Sequence, residues 1–438
     1  MSFKSHLETF LDDREVNLLL NSLENENFTS FRLNTLKVGE LSQILNKNLF
    51  EEHKYVKKGY YYDKANYQLG KNILFEAGAY YIQEPAAMLA VELLSPMPGD
   101  KVLDMCAAPG GKSFQAINLM NDSGLLVCND LNTLRAHILS SNIEKTGAKN
   151  VLVLNDDSKK YKKDFIEYFD KIILDAPCSG SGMFRKNDFA RQDWSISKVL
   201  ECQKIQMDLL SDAYDMLKGQ GTILYSTCSY SKEENEDVII DFLNKHSDCS
   251  LIQIPLKDDF YPSIGINGAI RLHPSHYKGE GHFISLIKKN SNTEDKNREL
   301  IKKTKPVNKL VLEFLKNIGF EYKKEKILNF NDHYYYADFD LFKLDKIKFL
   351  RYGLHLGEIS NNRFIPSHSL AMYHLHSEKH FIELNEEEAK KYIAGETIAK
   401  DGNQGYKIVT YKKLPLGFVK HVNNVLKNHY PKGLRKRL

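Results

Sequence analysis

Between residues 100 and 289 the chain alternates short apolar runs with segments whose apolar residues recur every three or four positions. The runs are KVLDM (101–105), GLLVCND (124–130), NVLVLND (150–156), KIILDAP (171–177), GTILYST (221–227) and HFISLIK (282–288). They read as strands, and segments 111–121, 132–146, 196–217 and 232–246 read as amphipathic helices. Alternation at this spacing predicts an α/β fold with a mostly parallel, doubly wound sheet. The helix from 232 carries the pattern of a capping box, with Ser231 as N-cap and Glu234 three residues on.

The flanks are patterned differently. Residues 1–90 open with a helix, then SFRLNTLK, a helical LSQILNKNL and a tyrosine-rich β-like KKGYYYDK, which together predict a small α+β unit. NSNTEDKNRELIKKTK (290–305) is polar and charged, as a linker is. Residues 306–345 hold a helix and short strands, and from 346 Gly, Pro and short apolar runs predict a compact β-rich module. The expected domains are therefore 1–90, 91–289, 290–345 (the linker and a small first C-terminal unit) and 346–438.

Composition narrows the class. A chain of 438 residues is too long for one ordinary domain. No run of about 18 apolar residues occurs, so no membrane helix is expected. The opening MSFKSHLETFLDDREV mixes acids and bases, which argues against a signal peptide and for a cytoplasmic protein. The six cysteines (106, 128, 178, 202, 228 and 249) are scattered without a CxxC pair, so free thiols are expected and no metal. Net charge is only +4, but residues 402–438 contain no Asp or Glu and nine Lys and Arg: Lys407, Lys412, Lys413, Lys420, Lys427, Lys432, Arg435, Lys436 and Arg437. IVTY and LPLGFV within that segment look like folded elements, so a basic face for a polyanion such as nucleic acid is expected.

LDMCAAPGGKS (103–113) lies between the first strand of the sheet and a helix. Ligands of doubly wound sheets bind outside the carboxyl ends of the strands. Ala107, Ala108, Gly110 and Gly111 let a ligand approach the backbone, and the helix N-terminus favours a carboxylate. Asp130, at the end of the next strand, suits ribose hydroxyls, and Asp157 follows the third strand where an adenine would lie. The loop fits neither GxGxxG nor GxxxxGK[ST], which weakens dinucleotide and nucleoside-triphosphate readings. Asp104, Asp130, Asp157 and Asp175 each fall at or just after a strand end.

CAAPGGK, DAPCSGSG and YSTCSYSKEENE, in this order and spacing, resemble the Nop/Sun family of RNA cytosine-C5 methyltransferases. FRLNTLK resembles that family's N-terminal RNA-binding unit, and YIQEPAAM the segment that enters its catalytic domain. RYGLHLGEISNNRFIPSHSLAM and LPLGFVKHVNNVLKNHYPKGLR resemble the bacterial RsmF-like branch. The resemblance implies a Rossmann-like S-adenosylmethionine-dependent sheet with a PUA-like C-terminal RNA-binding domain, acting on 16S ribosomal RNA or the small ribosomal subunit. It places S-adenosylmethionine on Cys106, Ala107, Ala108, Pro109, Gly110, Gly111, Lys112, Asp130, Asp157 and Asp175. Asp130 stands where Glu is common in the family, and its shorter side chain should still reach ribose.

The resemblance also bears on the cysteines. Cytosine C5 is a poor nucleophile; a thiolate adding at C6 activates it, and the C5 proton must later leave. DNA cytosine methyltransferases use a Pro-Cys cysteine, which would nominate Cys178. The family resembled here uses the Ser-Thr-Cys cysteine, which nominates Cys228 and leaves Cys178 to assist release. Asp175 would hydrogen-bond the exocyclic amine or N3 of the base, and Lys112 could lower a thiol pKa by its charge. Cys128, Cys202 and Cys249 read as buried apolar residues.

Arg185, Lys186 and Arg191 could bind phosphates flanking a flipped base. Arg32 and Asn34 either contact RNA or pack, Tyr334, Tyr335 and Tyr336 read as strand core, and His374, His376 and His380 lack the partners of a metal site. Three other readings remain open: a non-catalytic ribosome-assembly protein, a methyltransferase acting on tRNA or 23S rRNA, and a DNA enzyme. The presence of Asp130, Asp175 and Cys228 weighs against the first. A monomer is expected.

Overall fold

The computed structural model describes residues 2–293, 306–339, 347–373 and 380–438. Six of the apolar runs form neighbouring strands of one sheet: β1 (Lys101–Asp104), β2 (Leu125–Asn129), β3 (Val151–Leu154), β4 (Phe169–Asp175), β5 (Leu217–Thr227) and β6 (His282–Lys289). Their order is β6-β5-β4-β1-β2-β3. The first five are mutually parallel, and β6 returns antiparallel along β5. The chain steps outward from β1 through β2 to β3, then crosses back to β4 on the other side of β1. That reversal opens a crevice at the carboxyl ends of β1 and β4.

Both faces of the sheet are covered, which is why its strands read as continuous apolar runs rather than alternating ones. Val102, Leu126, Val153, Ile173 and Leu224 face one apolar cluster; Leu103, Val127, Leu152, Ile172 and Ile223 face the other. Helices α1 (Gly111–Leu119), α2 (Thr133–Thr146) and α3 (Ile196–Met216) link β1 to β2, β2 to β3 and β4 to β5, short helical turns at Ser158–Tyr161 and Lys162–Asp164 lie between β3 and β4, and α4 (Glu236–Lys245) lies between β5 and β6. The capping box expected at Ser231 does not form: residues 232–234 make a separate 3-10 turn without a side-chain cap, and α4 begins at Glu236. The Glu234 carboxylate is drawn instead into a cluster of serines described below.

In the N-terminal unit a four-stranded sheet runs in the order 51–52, 59–62, 29–33, 80–82. LSQILNKNL forms two short 3-10 turns rather than one helix, because the Asn46 side chain accepts the Asn48 N–H and restarts the chain there. Arg32 and Asn34 are buried: Arg32 Nη2 donates to Gln115 O, and Asn34 Nδ2 donates to Gly78 O and Thr146 O. They pack the unit onto α1 and α2. Glu15 adds a second anchor, accepting from His273 and His276.

A sheet of 327–330, 333–336, 354–360 and 363–366 follows, with Tyr334 and Tyr336 in its core. Strand 333–336 pairs with strand 354–360, so a domain boundary at 345/346 would cut through this sheet. Strand 349–352 leaves the unit altogether and joins the antiparallel edge of β3. We propose that the division falls after Tyr373. The final five-stranded sheet orders 381–383, 405–411, 414–422, 425–428 and 398–399, and shares a core with the N-terminal unit in which Phe31, Leu33 and Tyr80 meet Tyr392, Leu416 and Val419. The basic segment is thus folded strand from 405 to 428, and its last cations, from Lys432 on, follow the sheet. Of the expected linker, residues 294–305 lie outside the described residues, as do His374 and His376. Among the described residues no helix is long and apolar enough to cross a membrane.

Candidate active site

The loop after β1 turns sharply at the crevice. Gly110 has φ 111°, a left-handed value that a side chain resists. A Cβ on Gly111 would come within 3.1 Å of Gln83 and 3.2 Å of Tyr81, so the N-terminal unit closes one wall of the loop. Asp104 ends β1 fully buried, accepting Ser113 Oγ at 2.6 Å with its Oδ1 unpartnered; burial pushes its carboxyl up to about 7. Asp130 follows β2, accepting from Ala108 N and Asn132 N, with Arg135 Nη2 3.3 Å away. Asp157 caps the turn after β3 by accepting Lys159 N. Burial raises the Cys106 thiol well above its ordinary range.

Asp175 ends β4 and meets Lys112 of α1, with Nζ 2.8 Å from Oδ2. Ser226 Oγ donates to the other oxygen, Oδ1, and His282 Nε2 stands 3.9 Å from it. Burial disfavours the Asp175 charge, but the Lys112 ammonium, His282 and the two hydrogen bonds outweigh it and hold the carboxyl below its usual range. His282 is driven down to about 4 by burial and then by Lys112, so the imidazole is neutral.

The two cysteines converge. Cys178 follows β4 and Cys228 follows β5, both half-buried, with their sulfurs 3.1 Å apart. Parallel pairing of the two strands matches Asp175 with Ser226 and thereby aligns the loops. Gly182 N donates to Cys228 O, and Tyr230 N donates to Ser181 Oγ. The hydrogen bond to Cys228, then burial, raise the Cys178 thiol well above its ordinary range. Cys128 is wholly buried and Cys202 nearly so, as expected of structural residues, whereas Cys249 is only half-buried, at the start of the edge strand Cys249–Ile252.

Several residues depart from the sequence reading or were absent from it. Arg185 is no phosphate ligand: its side chain is 2% exposed, with Nε on Glu280 Oε2 and Nη2 on Gly279 O. Lys186 also leans on Glu280, and Arg191 pairs with Glu24 on the surface. His282, Ser226 and Glu234 were not singled out as site residues. The signal for Glu234 was an acid among the serines that follow Cys228.

A doubly wound sheet with this loop at its switch point, and two cysteines at the adjoining strand ends, defines a Rossmann-like methyltransferase of the Sun/Nop type. The chain belongs to the 16S rRNA methyltransferase RsmB/F family, whose model matches residues 91–288. Models of the RsmF N-terminal domain, first C-terminal domain and PUA domain match 1–85, 313–373 and 379–436. The chain is 31% identical to ribosomal RNA small subunit methyltransferase F of Shewanella loihica, over 92% of this chain and 88% of that protein. It is 30% identical to the protein of the same name from Vibrio vulnificus, over 85% and 82%. Among solved structures, a methyltransferase homolog from Pyrococcus horikoshii is 31% identical, with a TM-score of 0.58 over 65% of this chain and 93% of that one. NSun6 from the same organism, solved with SFG, shares the fold at 21% identity, with a TM-score of 0.58 over 66% and 98%.

Proposed function

We propose that the protein is a cytoplasmic enzyme that forms 5-methylcytidine in 16S ribosomal RNA, with Cys228 as nucleophile. The observation that carries this reading is the pairing of Cys178 and Cys228 sulfurs at 3.1 Å on the strand ends beside the Lys112–Asp175 ion pair. The loop from Cys106 to Lys112 fits S-adenosylmethionine, because it lies at the carboxyl end of β1 where α1 starts. Asp130, on the loop after β2, suits ribose hydroxyls, and Asp157, capping the turn after β3, suits the adenine side of the crevice. When bound, S-adenosylmethionine supplies the electrophilic methyl group that cytosine C5 accepts.

The chain's own groups do the rest. Asp175, held as a carboxylate, accepts a hydrogen bond from the exocyclic amine and fixes the ring. The Cys228 thiolate adds to C6, and the electron pair displaced from the C5–C6 bond makes C5 nucleophilic. After methylation the C5 proton passes to solvent and the C6–S bond breaks, returning its electron pair to Cys228. The protonated Cys178 donates a hydrogen bond to the departing sulfur.

The test supplies labelled S-adenosylmethionine and unmethylated 16S rRNA or small subunits, then digests the RNA. Wild type is expected to yield 5-methylcytidine, Cys228→Ala none, and Cys178→Ala a protein–RNA adduct that survives denaturation. An adduct formed by Cys228→Ala would overturn the nucleophile assignment. Labelling of tRNA or 23S rRNA but not 16S rRNA would overturn the substrate, and no labelling of any RNA would favour an assembly factor.

A further inference from the structure

We propose that Glu234 is a positioning residue for this reaction, holding the loops of Cys178 and Cys228 at the spacing that lets the Cys178 thiol assist release. The inference rests on the reading of Cys228 as nucleophile. Glu234 is fully buried. Its Oε1 accepts Ser179 N at 2.7 Å and Gln206 Nε2 at 3.2 Å. Its Oε2 accepts Ser179 Oγ and Ser229 Oγ, each at 2.5 Å. Gln206 Nε2 also donates to Pro177 O. Ser179 beside Cys178 and Ser229 beside Cys228 therefore hang on a single carboxylate, and Gln206 links Pro177, on the other side of Cys178, to the same group.

Four donors on two oxygens fill the lone pairs of an ionised carboxylate. Burial raises the Glu234 carboxyl, and these donors oppose it. The charge also reaches the neighbouring thiol, adding to what keeps the proton on Cys178. Ser231 Oγ, the cap that Glu234 forgoes, is left without a partner. A buried hydroxyl in that state is costly, so the chain gives up a local cap for a contact that joins the two cysteine loops.

The experiment measures, during steady-state turnover on unmethylated 16S rRNA, the fraction of enzyme held in the covalent adduct. Glu234→Gln keeps the shape and removes the charge. It is expected to lower kcat about tenfold, leave KM for RNA and S-adenosylmethionine within about twofold, and raise the adduct fraction at least about threefold. Ser179→Ala removes one of the four bonds and is expected to shift the adduct fraction in the same direction by less. It keeps the question answerable if Glu234→Gln fails to fold. An adduct fraction at or below that of wild type in both variants would make Glu234 a support of the fold only, and overturn the inference. Cys178→Ala and Cys228→Ala are run alongside. If Cys178→Ala accumulates adduct and the Glu234 and Ser179 variants do not, the inference alone fails. If Cys228→Ala still forms adduct, the nucleophile reading falls and takes this inference with it.

Discussion

Lys112 Nζ lies 2.8 Å from Asp175 Oδ2, which ties the helix that follows the loop after β1 to the strand that leads into Cys178. Both side chains sit in the crevice, and the Lys112 side chain is only 9% exposed. Burial alone would raise the Asp175 carboxyl; Lys112 is the chief reason it titrates low instead. Burial likewise opposes the Lys112 charge, and Asp175 outweighs it and lifts the ammonium above its usual range.

Lys112→Met leaves Asp175 a buried carboxylate without its cation. Its pKa must then rise, because the desolvation remains and the compensating charge is gone. The acidic limb of the pH–rate profile is expected to move to higher pH, with kcat at neutral pH down by about two orders of magnitude. Initial rates from pH 5 to 9 check this. An unmoved acidic limb would mean that Asp175 does not act as a carboxylate in the rate-limiting step. The depressed Asp175 also contributes stability that is present above its unfolded pKa and lost as pH falls through its folded one. Wild type should therefore lose more stability than the variant on acidification below pH 4.

Asp104 works in the opposite sense. Its carboxyl is raised from 3.8 to about 7, chiefly by burial, so the folded chain holds a proton there that the unfolded chain releases. Stability then falls as pH rises from about 4 to about 7, and stays reduced above that. Asp104→Asn removes this dependence while keeping a partner for Ser113 Oγ. Thermal unfolding of the two proteins is expected to show the variant gaining about 4 °C on wild type between pH 5 and pH 8. A difference that stays constant with pH would show that Asp104 remains ionised in the fold.

Much of this was legible because parallel sheets put function at strand ends. Asp104, Asp130, Asp175, Cys178 and Cys228 could all be placed by finding where apolar runs stop. Non-local partners could not be placed in this way. Arg185 read as a free cation because its partner Glu280 lies 95 residues on. Glu234 read as a capping residue because the i, i+3 spacing of a cap is local, whereas Ser179 lies 55 residues away on another loop. Strand 349–352 looked like part of the C-terminal module, yet it completes an edge left open by β3. In each case the local pattern was present, and a distant partner outcompeted it.

Gly182 tests how closely the cysteine loops must fit. A Cβ there would lie 2.4 Å from Gly281 O and 2.8 Å from Cys228 O. Both are backbone atoms, so no side chain can swing aside to make room. The Gly182 N–H also donates to Cys228 O, and Gly281 N donates to Gly182 O, so the same three strands of loop must part together. Gly182→Ala is expected to push the Cys228 backbone outward while leaving the loop from Cys106 to Lys112 in place. A displacement near 1 Å at a reacting atom can cost about a hundredfold. The variant should therefore lose about that much in kcat, with the dissociation constant for S-adenosylmethionine changed by less than about twofold. Gly433→Ala, where a Cβ meets nothing within 4 Å, serves as the control for glycine replacement itself. Isothermal titration and single-turnover methylation separate the two quantities. If Gly182→Ala methylates at the wild-type rate, the spacing of the two cysteine loops is not what limits catalysis.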